Sequence, residues 1–426
     1  MRKIFLSFIG FSILCRVSAY AQTKQDSAAY KPAYSQPPAS KKDSAQFNPR
    51  KLRLDEIDFV TSYYSQNGNH SAVTGGIGTE KVTDFANGLT LNFVNTDGKD
   101  HKNTLTAGLG FDLHTSASQA YVSKTGASKP SGTRVYPSLD WTVENTKTGG
   151  TYGVGAYYSN EYNYKSLGAD VHYSVKTDNK AGEFSAKLQG YFDNVTLIYP
   201  SEFVPVSTVI TGYGDHKGGE NGHRDNFGTS PRKTYSAAFE YSQIINSRLQ
   251  IAFLADVVGQ NGFLSLPFHR VYFSNGKDTI ERLPSSRFKL PLGFRANYFL
   301  GDKVILRSYY RFYADSWGTR SNTANLEIAY KVTPFFSISP FYRYYTQTAA
   351  RYFAPYEENN PSSQYFTSNY EYAAFNSQFY GVGFRIAPPS GVFGIQGLHE
   401  LEIRYGHYTQ TTDLVSDVVS LNIGFK

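Results

Sequence analysis

Five residues of one glycine-rich stretch carry donor atoms that suit a metal: Asp215, His216, Glu220, His223 and Asp225. Carboxylate oxygens and imidazole nitrogens together favour a divalent ion of intermediate softness. Their spacing matches no rigid ligand motif, however, and Gly212, Gly214, Gly218, Gly219 and Gly222 leave the backbone between them unconstrained. The stretch therefore reads as a solvated external loop, and no metal is expected there. Hydrolysis would need a nucleophile and a base within hydrogen-bond reach. His70 and Ser71 are adjacent, so on a strand they would point to opposite faces. His407 and Thr409 share a face, but the sequence shows no orienting carboxylate beside them. The glycines from Gly68 to Gly78 lack the preceding strand and following helix of a phosphate cradle. Neither catalysis nor a cofactor is expected.

A second charged set is more informative because it alternates with apolar residues. Asp112, Asp140, Glu144, Asp170, Asp193, Glu240 and Asp256 occupy such positions in the N-terminal half. Arg295, Arg307, Arg311, Arg343, Arg385 and Arg404 occupy them in the C-terminal half. Successive strand side chains point to opposite faces, so these groups share one face and the apolar residues share the other. If the sheet closes into a cylinder, an acidic arc would face a basic arc across the lumen. Low-dielectric walls focus such a field, and arcs of charge are a selectivity device. The competing reading is local pairing, for which Glu327, Glu400 and Glu402 stand near the arginines.

The elements that must position these residues recur along the whole chain. Leu249, Ile251, Phe253, Ala255 and Val257 alternate with polar residues, as do Val419, Leu421, Ile423 and Phe425. About sixteen strands of this kind are expected: 54–64, 86–97, 102–114, 134–145, 150–161, 165–177, 182–195, 232–245, 249–260, 288–299, 303–315, 321–332, 335–348, 376–387, 398–410 and 417–426. The connections 65–85, 115–133, 196–231, 261–287 and 349–375 are long and fall on one side. Those at 96–101, 146–150, 178–181, 246–248, 301–302, 333–334 and 388–397 fall on the other and are mostly short. That segregation is the habit of transmembrane antiparallel β-barrels, with long extracellular loops and short periplasmic turns. Within 261–287, residues 270–283 form an expected hairpin around Asn275-Gly276, a strong turn signal.

The N-terminus supplies the route outward. Arg2 and Lys3 precede an apolar run from Ile4 to Leu14, and Ala19-Tyr20-Ala21 is a small-x-small cleavage site. Residues 1–21 are thus an expected signal peptide, 22–53 a disordered periplasmic leader rich in Lys, Ser and Pro, and 54–426 the barrel. Cys15, the single cysteine, would leave with the signal. The formal charge of +7 loses three cations with that segment, which suggests nothing about nucleic acid. Tyr 35 and Phe 31 dominate the aromatics, as interfacial girdles require.

Several runs resemble a domain-of-unknown-function family of exported Gram-negative proteins. They are 70–80 (HSAVTGGIGTE), 266–273 (LPFHRVYF), 281–291 (ERLPSSRFKLP), 306–312 (LRSYYRF), 340–355 (PFYRYYTQTAARYFAP) and 403–408 (IRYGHY). The resemblance implies an outer-membrane barrel, with no site residues to carry over. The terminal aromatic that assembly machinery reads is here Phe425, displaced one place by Lys426. The expected partners are outer-membrane lipid, that machinery during biogenesis, and small solutes. The expected function is a porin-like channel or ligand-selective transporter in the outer membrane. A non-conducting receptor or scaffold, its lumen closed by 261–287, is the alternative, and a barrel hydrolase comes last.

Overall fold

The structure, a computed structural model, describes residues 52–97, 99–115, 131–161, 164–197 and 228–426. The expected signal segment, nearly all of the expected leader, and the loop bearing Asp215, His216, Glu220, His223 and Asp225 lie outside the described residues. Among the described residues eighteen strands follow in chain order. They are β1 (Arg53–Asn67), β2 (Val82–Thr96), β3 (His101–Thr115), β4 (Ser131–Asn145), β5 (Thr151–Glu161), β6 (Tyr164–Lys176), β7 (Gly182–Thr196), β8 (Thr229–Asn246) and β9 (Leu249–Gly262). Then come β10 (Arg270–Tyr272), β11 (Asp278–Ile280), β12 (Ser286–Leu300), β13 (Val304–Asp315), β14 (Arg320–Thr333), β15 (Phe336–Gln347), β16 (Phe375–Ile386), β17 (Leu398–Gln410) and β18 (Leu414–Phe425). Every expected boundary falls within about 4 residues of its strand end.

All but β10 and β11 join one closed antiparallel ring, each strand beside its chain neighbours. β1 closes it against β18 in continuous register from Ile57↔Phe425 to Asn67↔Val415. Closure removes the unpaired edges that an open sheet would leave. β10 and β11 are the expected hairpin, with Gly276 at φ 79° in the left-handed region that its turn requires.

The barrel is inside-out by the standard of a soluble domain. Leu139, Val171, Leu188, Phe253 and Leu300 are exposed on the outer face, while Asp140, Asp170 and Glu240 alternate with such residues on the inner one. One buried apolar cluster lies away from the strand walls, where Leu283, Trp317 and Ala350 pack with Leu264, Tyr352 and Tyr372.

The two ends differ in construction. At one end the turns are closed by their own side chains. Asp97 Oδ1 accepts from the Lys99 and His101 amides, both at 2.9 Å, and those bonds hold its carboxyl below the usual range. Asn246 Oδ1 accepts from Arg248 and Leu249, and Thr333 Oγ1 from Phe335 and Phe336. At the other end lie the long connections.

Candidate functional site: the lumen wall and the loop plate

Most of the thirteen charged residues expected on one face have an exposed apolar neighbour in sequence, as Asp140, Asp170, Glu240, Arg343 and Arg404 do, and most are engaged close by. Of the seven acids, those on β3 to β7 each have a cation or hydroxyl close by on the same wall. Asp112 accepts from the Tyr136 hydroxyl at 2.7 Å and lies 3.8 Å from Arg134. Glu144 pairs with Lys176 at 3.1 Å, and Asp193 with Arg232 at 2.8 Å. Asp170 takes Lys187 at 3.2 Å and His172 at 3.0 Å, plus the Tyr157 hydroxyl. The cations Arg134, Lys176, Lys187 and Arg232 were absent from the sequence reading, although the same alternation would have placed them.

Asp140, Asp170 and His172 gather over β5. Gly155 of that strand faces Asp140 on β4 and Asp170 on β6 in register. A Cβ there would come 2.8 Å from the Tyr157 hydroxyl and 3.1 Å from Asp140 Oδ2. Their ligand atoms lie within 4.8 Å of one another. Thr142, Tyr157 and Lys187 already serve these groups, so the arrangement is a hydrogen-bonded ion-pair network.

The opposite wall is organised around long arginines. Glu327 on β14 bridges Arg307 of β13 and Arg404 of β17, both at 2.7 Å. Arg404 can lie flat along the wall because β16 offers Gly383 opposite it, where a Cβ would stand only 3.2 Å from its Cγ. Its guanidinium then passes 5.1 Å from the Phe341 ring centre, and its other fork meets Glu402 at 2.9 Å. Arg385 pairs with Glu400 at 2.8 Å, and Arg295 reaches Glu240 at 3.5 Å. Arg343 lies over Phe379 at 5.8 Å. Several of these groups still meet solvent: the Arg385 side chain is 48% exposed and that of Arg307 44%.

Over the long-loop end, three connections pack into a plate. The 68–81 connection leaves β1 and β2, whereas 263–285, with its hairpin, leaves β9 and β12. β1 and β9 stand eight steps apart in either direction round the sixteen-strand ring. Nevertheless Arg270, buried in the hairpin, donates from Nη1 to the Val73 carbonyl at 2.6 Å. Gly75 lies against the Tyr272 ring, which any Cβ would strike. Loops rooted on opposite walls therefore meet, and a contact between diametric roots has to span the mouth.

The third connection, 348–374, locks the other two. Its Tyr370 stacks on His70 with ring centres 3.7 Å apart. The buried Glu281 carboxylate accepts from the Thr367 hydroxyl at 2.6 Å and the Leu266 amide at 2.8 Å. Arg282 and Phe366 exchange both backbone hydrogen bonds, at 3.1 and 2.8 Å. Below them Trp317 donates from Nε1 to the Ser286 carbonyl at 2.9 Å, with Arg287 stacked over it at 4.4 Å. Burial pushes the neighbouring Tyr372 hydroxyl up to about 12, so it stays neutral.

The residues considered for hydrolysis separate. His70 bonds the Gly76 carbonyl at 2.9 Å and serves the plate. His407 does have a carboxylate beside it, contrary to the sequence reading: Asp417 Oδ1 lies 2.8 Å from its Nδ1. β18 begins at Leu414, earlier than expected, which carries Asp417 into register opposite His407. Among the described residues no hydroxyl hydrogen-bonds His407, so the pair lacks a nucleophile.

An apolar skin, a closed antiparallel ring and a charged lumen define a transmembrane-type β-barrel. The chain belongs to the DUF3570 family, a protein family of unknown function whose model matches residues 28–417. No curated protein matches it. Among solved structures it is similar to OpdK of Pseudomonas aeruginosa crystallised with vanillate, at 7% identity and TM-score 0.40, covering 87% of this chain and 97% of that one. It is similar to a variant of OccD1 (OprD) at 10% identity and TM-score 0.42, covering 89% and 97%. BamA of Haemophilus ducreyi follows at 11% identity and TM-score 0.41, covering 88% and 71%. At such overlap these likenesses say nothing of what this barrel carries.

Proposed function

We propose that this protein is an outer-membrane, porin-like channel for small polar solutes, screened at its long-loop mouth by the three-loop plate. The observation that carries the reading is solvent on the inner wall. Arg307, Arg385 and Lys187 keep 44%, 48% and 37% of their side-chain surface exposed, although they point away from the apolar skin. A barrel of about sixteen strands is wide enough for a water-filled lumen. In this reading the signal is removed on export, assembly machinery inserts the chain, and the short turns face the periplasm. Lipid surrounds the skin, and neither nucleic acid nor a catalytic step is involved.

The wall charges then set preference among solutes. On the C-terminal side Arg295, Arg307, Arg311, Arg343, Arg385 and Arg404 outnumber the nearby acids. On the N-terminal side Asp112, Asp140, Glu144, Asp170, Asp193, Glu240 and Asp256 are tempered by their own cations. Reconstituted protein should swell liposomes in amino acids and small sugars. Neutralising Arg295, Arg343 and Arg404 together should move the zero-current potential towards cation preference. A reversal potential that ignores this triple change would remove the selectivity claim.

The plate itself favours a second reading, a non-conducting receptor or scaffold closed by the 261–287 loop. Liposomes that stay unswollen with the full chain and swell once the hairpin is deleted would establish it.

A further inference from the structure

Two of the inward charges break the pattern of local pairing. Among the described residues, Arg311 and Asp256 make no ion pair within 4.0 Å and no hydrogen bond. They belong together all the same. Asp256 on β9 and Arg311 on β13 flank β12 from either side and lie within electrostatic range of each other. The strand between them offers nothing polar on its inner face at that level. Gly293 stands opposite Arg311 and opposite Leu254 of β9, and Pro291 opposite Tyr313. A Cβ on Gly293 would sit 3.3 Å from Leu254 Cβ, so the glycine keeps this floor low. Tyr309 borders the same space, within electrostatic range of both charges. The site sits in mid-barrel, below the plate.

We infer that this notch is a binding site for a small zwitterion, its carboxylate on the Arg311 guanidinium and its ammonium on the Asp256 carboxylate. The inference rests on the channel reading, since the ligand must enter the lumen. Opposite charges that closed on each other would simply cancel, as Arg232 and Asp193 do at 2.8 Å. Held apart over an apolar floor, they instead present a donor fork and an acceptor at two ends of one slot. Guanidinium binds carboxylate through paired, charge-assisted hydrogen bonds, and the Leu254–Pro291–Gly293 floor suits a short aliphatic body. An α-amino acid has this chemistry, and a longer ω-amino acid has it with a wider span.

Isothermal titration of the full chain in detergent micelles, with alanine, propionate and ethylamine as probes, tests the site. Alanine should bind at least about tenfold more tightly than either half-ligand, because each end contributes a charge-assisted contact. Arg311→Gln should weaken alanine and propionate together, and Asp256→Asn should reduce alanine to the level of propionate. Propionate binding as tightly as alanine, or alanine unaffected in both variants, would overturn the assignment. Heat-modifiable mobility on gels reports whether each variant is a folded barrel. If Arg311→Gln is not, Arg311→Lys, which keeps the charge but loses the fork, should weaken propionate in its place. Micelle titration reads occupancy whether or not the barrel conducts. A conducting barrel without alanine binding thus sinks the site alone, and a binding barrel without conductance sinks the channel alone.

Discussion

The two ends of this barrel are held by different kinds of contact. At the short-turn end Asp97, Asn246 and Thr333 each bond amides two to four residues away. At the long-loop end the Arg270–Val73 bond joins residues 197 apart in sequence, and Glu281–Thr367 joins residues 86 apart. Local bonds fix one turn at a time and leave the lumen's rim open between turns. Distant bonds make the loops a single plate, so loosening one loop should loosen the others. The lesson is that one barrel can combine an independent, piecewise end with a cooperative one.

The largest effect on that contrast should come from Trp317→Ala. The ring fills the buried apolar cluster with Leu283 and Ala350 and supports both Arg287 and Tyr372. Its loss should cost the plate about 3–5 kcal/mol, read as rapid hydrogen exchange throughout 263–285 and 348–374. Exchange in β3–β6 should stay slow. If only the residues touching position 317 respond, the plate is not cooperative.

Next is Glu281→Gln. A neutral amide still fits, but its acceptor no longer carries charge toward Thr367 and the Leu266 amide. A loss of about 1–3 kcal/mol follows, seen as faster protease cleavage of both loops. Equal cleavage rates in mutant and wild type would deny the carboxylate its role as a clasp.

Asn246→Ala probes the other end. Removing one side-chain acceptor from a tight turn should cost about 1 kcal/mol, with exchange accelerating only near 244–249. Acceleration in distant turns would erase the contrast between the ends.

The smallest effect is a pH response of the plate. Burial raises the Glu80 carboxyl above its ordinary range, against a smaller opposing pull from His70. A carboxyl with a raised folded pKa favours the folded loop while protonated. Its contribution is complete below the unfolded pKa and is lost as pH rises through the folded one. The 68–81 loop should therefore be slightly better protected in mild acid than at neutrality. Glu80→Gln should flatten the difference. Protection that improves towards neutrality would contradict the sign.

The same division between local and distant contacts explains what the sequence disclosed. Strands were legible because alternation such as Leu249-Ile251-Phe253 is written in adjacent residues, and the Asn275-Gly276 hairpin is equally local. The facing of Arg404 and Asp170 followed from the same parity. Glu327, Glu400 and Glu402 were placed near the arginines as a group, but which acid meets which arginine was not read, since Glu327 and Arg404 meet three strands apart across Gly383. Asp417 was missed beside His407 because an error of a few residues in one strand start hides a cross-strand neighbour. The plate had no sequence signature, for nothing in 68–81 announces a hairpin rooted on the opposite wall. The Arg311–Asp256 notch was half visible: both residues were placed inward, but only the observed pairing of their neighbours singles them out.

On this reading a water-filled, charged lumen lies beneath a mouth spanned by loops from opposite walls. Single-channel recording in planar bilayers tests it most directly, comparing the full chain with a variant in which 264–283 is replaced by a short glycine-serine link. Small, frequently interrupted currents are expected for the full chain, and a steady conductance several-fold larger for the variant. Identical currents from the two proteins, or none from either, would contradict it.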